Sequence, residues 1–174
     1  MALGINVDIK SFFKRSSWTR DILIGGLIIA GFMAYQNRNL LEDNGSIQIA
    51  AQNFVQLNGN MYSLAPSDKN TLIYFFAPWC AVCKMSIGNL DVVDTEEYNV
   101  VRVALDYQSL EEIEAFAKDA GVQGIVLLGG EPHKKSFNIS GYPTYYILNK
   151  NLQVIKHDMG YSTSLGLKLR TETL

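Results

Sequence analysis

The sequence predicts an α/β fold, and two features of the chain carry that prediction. Residues 71–76 and 100–105 are continuous runs of mainly β-branched, aromatic and aliphatic side chains, as expected of strands buried on both faces of a sheet. Each run is followed by a stretch in which apolar residues recur at helical spacing. Strands and helices that alternate along a chain indicate an α/β sheet.

The composition fits one domain with a short appendage, since the chain has 174 residues, a formal net charge of −2, two cysteines and two histidines. Two cysteines close at most one bridge, which excludes a disulfide framework, and they are too few for a zinc-finger type of site. The charge gives no reason to expect a nucleic-acid partner, because phosphate binding needs a concentrated basic face.

The charge is distributed unevenly, and this predicts a membrane anchor. Residues 1–40 carry five basic and two acidic side chains, whereas residues 22–35 contain no charged or strongly polar side chain. A span takes about 20 residues, and an extension back to Trp18 brings the stretch close to that length. We expect an uncleaved transmembrane helix at 22–35, or 18–35 with Trp18 included. The alternatives are a cleaved signal peptide and a buried core helix.

The basic residues crowd the start of this stretch, so the positive-inside bias predicts a cytoplasmic N-terminal segment, residues 1–21. A polar linker is expected at residues 36–46. The acidic remainder, residues 47–174, would then form the exported domain.

In the first half of that domain, the sequence pattern predicts strands followed by one helix. Residues 47–64 are typical of short strands around a turn, with Asn58 and Gly59 able to take positive φ. The strand at 71–76 ends before Pro78. A helix is expected from Cys80 to about Asp94, weakened by Gly88, and its predicted buried side consists of Val82, Met85, Leu90 and Val93.

The second half continues the alternation. After the strand at 100–105, Ser109 and Glu112 have capping-box spacing, and the helix that they begin should end at Gly121. Its apolar residues at helical spacing are Leu110, Ile113, Phe116 and Ala117. Further strands are predicted at residues 125–128, 144–148 and 153–157, the last two joined by a turn at 149–151.

The chemistry is expected at Cys80-Ala81-Val82-Cys83, which lies where a buried strand turns into a helix. Backbone amides and the helix dipole favour a thiolate at a helix start, so Cys80 is the candidate attacking thiol. Cys83 lies one turn further along the same face and is the candidate resolving thiol. The alternative is an inert or static cysteine pair. Lys84 stands where a haem-attachment motif requires His, which excludes that motif.

Trp79 and Cys80 after a hydrophobic strand, together with Gly141-Tyr142-Pro143-Thr144, resemble a thioredoxin-fold oxidoreductase over most of residues 47–174. The chain is similar in particular to the membrane-anchored TlpA, ResA and DsbE group of bacteria, through the entry strand Ala51-Gln52-Asn53-Phe54, the run Phe76-Ala77-Pro78-Trp79-Cys80 and an extra β-α insertion near residues 100–120. Residues 160–170 are similar to the ScsD-type branch. This resemblance implies a central mixed sheet flanked by helices.

The resemblance also implies a site and partners. Pro143 would be cis and would place the Tyr142 backbone beside the sulfurs, while Trp79 and Tyr142 would form an apolar lip for substrate. Relatives of this architecture are mostly reductants of exported proteins in the periplasm, recharged by a transmembrane electron-transfer protein. They imply no cofactor.

The chain departs from the family at several positions. Tyr74 stands where thioredoxins have a buried Asp, and Ser86 and Gly88 stand where many anchored relatives have Glu and Pro. Lys84 is a candidate electrostatic helper, or else a solvated helix residue. The dipeptide between the cysteines does not indicate the direction of electron flow, so a disulfide oxidase is an open alternative. A copper-binding module that uses His133 or His157 is another.

Overall fold

The computed structural model describes residues 15–173. The chain divides into two compact units, with the boundary between Arg38 and Asn39. The first unit contains helix α1 (Arg15–Asn37). The anchor expected at 22–35 falls within α1 and is not confirmed, and residues 1–14 of the predicted cytoplasmic segment lie outside the described residues. Among residues 15–173, no helix combines the length and the apolar character that a membrane crossing requires.

The second unit is an α/β domain with a mixed sheet of seven strands in the order β2-β1-β5-β4-β3-β6-β7. The strands are β1 (Gln52–Gln56), β2 (Met61–Leu64), β3 (Asn70–Phe76), β4 (Tyr98–Ala104), β5 (Ile125–Leu128), β6 (Thr144–Leu148) and β7 (Val154–Met159). The helices are α2 (Ala81–Ser86), a 3₁₀ helix (Ile87–Val92), α3 (Leu110–Asp119), α4 (Glu131–Ser136) and α5 (Ser164–Glu172).

The centre of the sheet confirms the predicted α/β class. Strand β3 pairs in parallel with β4 and antiparallel with β6, and β4 pairs in parallel with β5. Six of the seven β3 residues are buried, which explains the continuous apolar run. Successive β3 side chains point to opposite faces, so each face has its own core. One core contains Tyr74 and both cysteines, and the other contains Phe75 and Tyr146.

The helix predicted at 80–94 is present in two parts, and its predicted buried side is only half right. Leu90 and Val93 are buried, but Val82 is 38% exposed and Met85 is 66% exposed. The inner side consists instead of Cys83, Ser86, Ile87, Leu90 and Val93. The first four of these positions recur at helical spacing, so the buried face is offset by one residue from the face that Val82 and Met85 indicated. The offset places the polar Ser86 inside, where it pairs with the Tyr74 hydroxyl.

The predicted capping box is not formed. Ser109 is the N-cap residue of α3, but its side chain makes no capping hydrogen bond. The Glu112 carboxylate accepts the amide of Gln108 instead, at 3.0 Å. The helix ends as expected before Gly121, which has a φ of +62°. Gly59 likewise takes positive φ in the predicted turn between β1 and β2.

The residues expected as a linker are partly packed on the domain. The second compact unit begins at Asn39, and Leu40 is buried in its core. The amide of Leu41 donates to the Tyr146 hydroxyl at 3.3 Å, and the amide of Gly45 donates to the carbonyl of Val154 at 2.9 Å. Residues 39–46 therefore form a strap on the domain, and the sequence did not predict it because the segment is short and mostly polar.

Candidate active site

The two cysteines lie where β3 leads into α2. Strand β3 ends at Phe76, and the amide of Cys80 donates to the carbonyl of Ala77 at 3.0 Å, which turns the chain toward the helix. Cys80 is the N-cap residue of α2, and Cys83 lies in its first turn. Their sulfur atoms are joined in a disulfide with an S–S distance of 2.17 Å and a Cα–Cα distance of 5.2 Å.

The two sulfur-bearing residues differ in exposure. Cys80 is 7% exposed, whereas Cys83 is completely buried. The amide of Cys83 donates to Sγ of Cys80 at 3.1 Å, so a backbone N–H at the start of the helix points at this sulfur. In the reduced protein the same donor and the helix dipole would stabilise a thiolate at Cys80. The geometry therefore suits attack by Cys80 and resolution by Cys83.

The loop before β6 lies against the core that contains both cysteines. The Tyr142–Pro143 peptide bond is cis, as the resemblance implies. Tyr142 packs against the core that contains both cysteines, and the hydroxyl of Thr144 donates to the carbonyl of Gly141 at 2.9 Å.

Trp79 and Tyr142 form one aromatic surface, the lip. Their ring centroids lie 5.7 Å apart with an interplanar angle of 81°. An edge-to-face pair of this kind is favourable beyond its area burial. Trp79 is 67% exposed, so the lip is open to a partner molecule.

Asp106, which the sequence did not single out, holds both rings of the lip. The Trp79 indole donates to the backbone carbonyl of Asp106 at 3.1 Å, and the Tyr142 hydroxyl donates to the Asp106 carboxylate at 2.9 Å. Lys134 of α4 donates to the same carboxylate. Asp106 has a φ of +50°, a conformation that Asp tolerates better than most residues. In the sequence, only the position of Asp106 directly after a predicted strand could have indicated a role at the site.

The electrostatics at Asp106 favour its charged form. Partial burial alone would raise the pKa of the carboxylate, but hydrogen bonds from Lys134 and Tyr142 outweigh it and hold the pKa below its usual value. Burial and the neighbouring Asp106 carboxylate raise the pKa of Tyr142. The hydroxyl of Tyr142 therefore stays protonated and remains a donor at neutral pH.

A buried polar network lies beneath α2, in place of the buried carboxylate of thioredoxins. The Tyr74 hydroxyl and Ser86 Oγ are 2.7 Å apart, and Ser86 donates to the carbonyl of Val82 at 2.9 Å. Burial raises the pKa of Tyr74, so this side chain is neutral and cannot act as a base near pH 7. The sequence shows that Tyr74 and Ser86 both depart from the family pattern, but nothing in it indicates that the two side chains contact each other.

Arg102 lies beside Tyr74, its register partner on the neighbouring strand. Its side chain is only 4% exposed, and its Nη2 lies 2.6 Å from Oδ1 of Asp91 on the 3₁₀ helix. Burial lowers the pKa of Arg102, while Asp91 and Tyr74 counteract this effect. The ion pair therefore ties β4 to the end of the cysteine-bearing segment.

Lys84 is an ion-paired surface residue. Its Nζ lies 2.9 Å from Oδ2 of Asp119 on α3, and about half of each side chain is exposed. The hydrogen bond from Lys84 lowers the pKa of Asp119. This pairing agrees with the alternative of a solvated helix residue, and the role of electrostatic helper stays a prediction.

The structure gives the copper alternative no support. His133 stacks on Phe54 with a centroid distance of 4.2 Å, and its Nδ1 accepts the amide of Gly130 at 3.1 Å. His157 is directed toward Asp43, with 3.8 Å between Nδ1 and Oδ2. Within residues 15–173, no three or more Cys, His, Asp or Glu side chains are grouped as a metal site would require.

Comparison with known proteins agrees with this geometry. Residues 49–128 match the thioredoxin family model. A protein disulfide-isomerase of Zea mays is 32% identical over 94 residues, which cover 54% of this chain and 15% of the isomerase. The thioredoxin-like protein YneN of Bacillus subtilis is 23% identical over 141 residues, which cover 73% of this chain and 83% of YneN. The match thus includes only a small part of the plant protein.

Among solved structures, the exposed lipoprotein thioredoxin of Streptococcus pneumoniae superposes with a TM-score of 0.63 at 20% identity. The superposition covers 72% of this chain and 100% of the pneumococcal chain. The chain therefore has a thioredoxin-like fold, and its Cys-x-x-Cys pair has the spacing found in thiol-disulfide oxidoreductases.

Proposed function

We propose that this protein reduces disulfide bonds of particular exported proteins by dithiol exchange. The observation that carries the proposal is the unequal burial of a bonded sulfur pair at a helix start. Cys80 is partly accessible and its Sγ accepts a backbone N–H, whereas Cys83 is buried behind it. An incoming substrate disulfide can therefore reach the sulfur of Cys80 but not that of Cys83.

The exchange has two steps. The Cys80 thiolate attacks one sulfur of the substrate disulfide, which forms a mixed disulfide and releases the other substrate sulfur as a thiolate. The Cys83 thiolate then attacks Sγ of Cys80, which forms the Cys80–Cys83 bond and releases the second substrate sulfur. Two electrons pass from the protein to the substrate. The two released thiolates take up the two protons that Cys80 and Cys83 give to solvent.

The lip and the cis-proline loop would hold the substrate during exchange. Trp79 and Tyr142 offer apolar contact area, and the Tyr142 backbone before Pro143 would pair with an extended substrate segment. Lys84 would act only indirectly, through the local field.

We place this protein with the TlpA, ResA and DsbE group, on the sequence resemblance given above. That resemblance is the basis for proposing that electrons flow from this protein to the substrate. A transmembrane electron-transfer protein would recharge it. The reduction potential tests this direction, because it should lie nearer to about −270 mV, as in thioredoxin, than to about −120 mV, as in DsbA. A potential near the higher value, with the pair mostly oxidised in cells, would establish the opposite, oxidase direction.

Trapping tests the chemistry itself. In a Cys83→Ser variant the second step is blocked, so Cys80 should remain bound to substrate proteins in mixed disulfides that a reductant dissolves. The matched Cys80→Ser variant should trap none, since Cys83 is buried. The proposal fails if neither variant traps proteins, and the order of attack is reversed if only Cys80→Ser does.

The location of the domain is also part of the proposal. We infer that it works outside the bacterial cytoplasm, at the inner membrane, and that α1 attaches it there. Helix α1 exposes Leu23, Leu27 and Ile28, basic residues precede it, and the similar pneumococcal structure is described as an exposed lipoprotein. Fractionation should recover the whole chain with inner membranes and a chain without residues 1–38 in the soluble fraction. Equal solubility of both would refute attachment.

A further inference from the structure

We propose that a cavity beside Trp79 is a subsite for an arginine or lysine side chain that neighbours the reacting cysteine of the substrate. This inference rests on the proposed disulfide reduction. The cavity has a volume of about 390 Å³ and lies between the cysteine-bearing segment and α3.

The position of the cavity relates it to the reacting sulfur. Pro78 and Trp79 border it, and they directly precede Cys80. Lys84 also borders it, and the amide of Lys84 donates to the carbonyl of Cys80 at 3.1 Å. The cavity wall is therefore the same turn of chain that presents Cys80. A substrate segment that brings its sulfur to Cys80 places a neighbouring side chain within reach of this cavity.

The interior of the cavity is suited to an aliphatic stem. Phe116 is buried and lines the cavity, and Ala115 lies beside it on α3. The exposed indole of Trp79 forms another side and is held in place by its hydrogen bond to Asp106. Long cationic side chains bury their methylene stems on apolar surfaces of this kind. An aromatic face also attracts the cationic head group.

The charges at the rim select a cation. Glu112 and Asp119 lie on the same face of α3, and both border the cavity. Asp119 is paired with Lys84, whereas Glu112 forms no ion pair within residues 15–173. Its Oε2 accepts the amide of Gln108, which leaves Oε1 for a ligand. The rim therefore has one excess negative charge, which complements a single cationic group.

A matched pair of peptides tests this subsite. Two disulfide-bonded peptides differ only at the residue beside the reacting cysteine, which is arginine in one and the neutral, isosteric citrulline in the other. The rate of oxidation of the reduced protein by each peptide is measured at low salt. The arginine peptide should react about threefold faster, which is within the range of an exposed ion pair. Its advantage should vanish near 1 M salt, where charges are screened within about 3 Å.

Two variants locate the effect. Glu112→Gln should abolish the difference between the arginine and citrulline rates, and its glutamine oxygen can still accept the Gln108 amide, which preserves the local fold. The control is Glu114→Gln, the same change on the same helix, at a residue that lines a different cavity. This control should retain the preference.

The outcomes separate the subsite from the function. Equal rates for the two peptides with the unaltered protein would overturn the subsite while leaving disulfide reduction intact. An equal loss of preference in both variants would also overturn it, because the effect would then be one of net charge. No reaction with either peptide would refute the proposed function itself, and the subsite would fail with it.

Discussion

A methyl group at Gly129 should destabilise the domain, since this glycine is packed tightly against β4. A Cβ at this position would lie 2.6 Å from Leu105 Cδ2, 2.7 Å from Val103 Cγ1 and 3.0 Å from the carbonyl oxygen of Ala104. Leu105 and Val103 are fully buried, so neither side chain can move into solvent. Overpacking of a core costs about 1–3 kcal/mol. The reduced backbone freedom of alanine in the unfolded chain offsets about 0.4–1 kcal/mol of this.

The net expectation for Gly129→Ala is a loss of about 1–2 kcal/mol in the free energy of unfolding. Urea denaturation of the oxidised whole chain measures it, and the midpoint should fall by about 0.5–1 M for a typical slope of roughly 2 kcal/mol/M. In thermal unfolding the same loss corresponds to a decrease of about 2–8 °C. Leu105 directly precedes Asp106, so the displaced strand end should also alter the fluorescence of Trp79.

The adjacent Gly130 provides the control. A Cβ there meets only Pro132 Cδ, at 3.8 Å, and the φ of −143° suits alanine. The entropic gain from alanine is offset by its weaker preference for the N-cap position, so Gly130→Ala should change stability by less than about 0.5 kcal/mol. If the two variants prove equally stable, the argument from close packing at Gly129 is wrong.

Three further predictions concern charges and hydroxyl groups. Replacing Asp106 with Asn should cost under about 1 kcal/mol. Since the pKa of Asp106 is lowered in the folded state, its contribution is present above about pH 4 and is lost as the pH falls through the lowered pKa, so the difference between the thermal melts of the two proteins should shrink progressively as the pH falls below about 4. Burial raises the pKa of five tyrosines, namely Tyr62, Tyr74, Tyr142, Tyr145 and Tyr146. These side chains stay protonated when folded and ionise more readily when unfolded, so the urea midpoint should fall as the pH rises above about 10. Asp91→Ala leaves the buried Arg102 side chain without its partner and should cost about 1–3 kcal/mol in urea denaturation. Adding Arg102→Met should recover part of that loss, because the buried charge is then removed as well.

Strong local patterns predicted most of the sheet. Strands β5 and β6 begin and end at the predicted residues, and the central β3 differs by one residue at its start. Their apolar runs are bounded by turn residues, so pattern and structure agree. Helices α4 and α5 were not predicted. No residue of α4 is buried, and α5 buries only Leu167 and Thr171, so neither has the apolar stripe that marks an amphipathic helix.

The sequence predicted part of the candidate site, but not its polar contacts. The spacing of Cys80 and Cys83 after a buried strand is visible in the sequence, as is the cis Pro143 through family resemblance. The partners of Asp106 and Arg102 are not visible, because those contacts join residues distant in sequence. The inward turn of Ser86 follows from its hydrogen bond to Tyr74, which no local periodicity encodes.

The carboxylate of Asp106 connects the surface helix α4 to the lip beside the cysteine pair. Lys134 belongs to α4, which supplies neither sulfur, yet its ammonium group meets the oxygen that anchors Tyr142. Exchange of residue 134 would change how firmly that ring is held while leaving the reducing power of the sulfur pair untouched. Under the proposed function, a substitution at residue 134 would therefore alter substrate binding at the lip without altering the reduction potential.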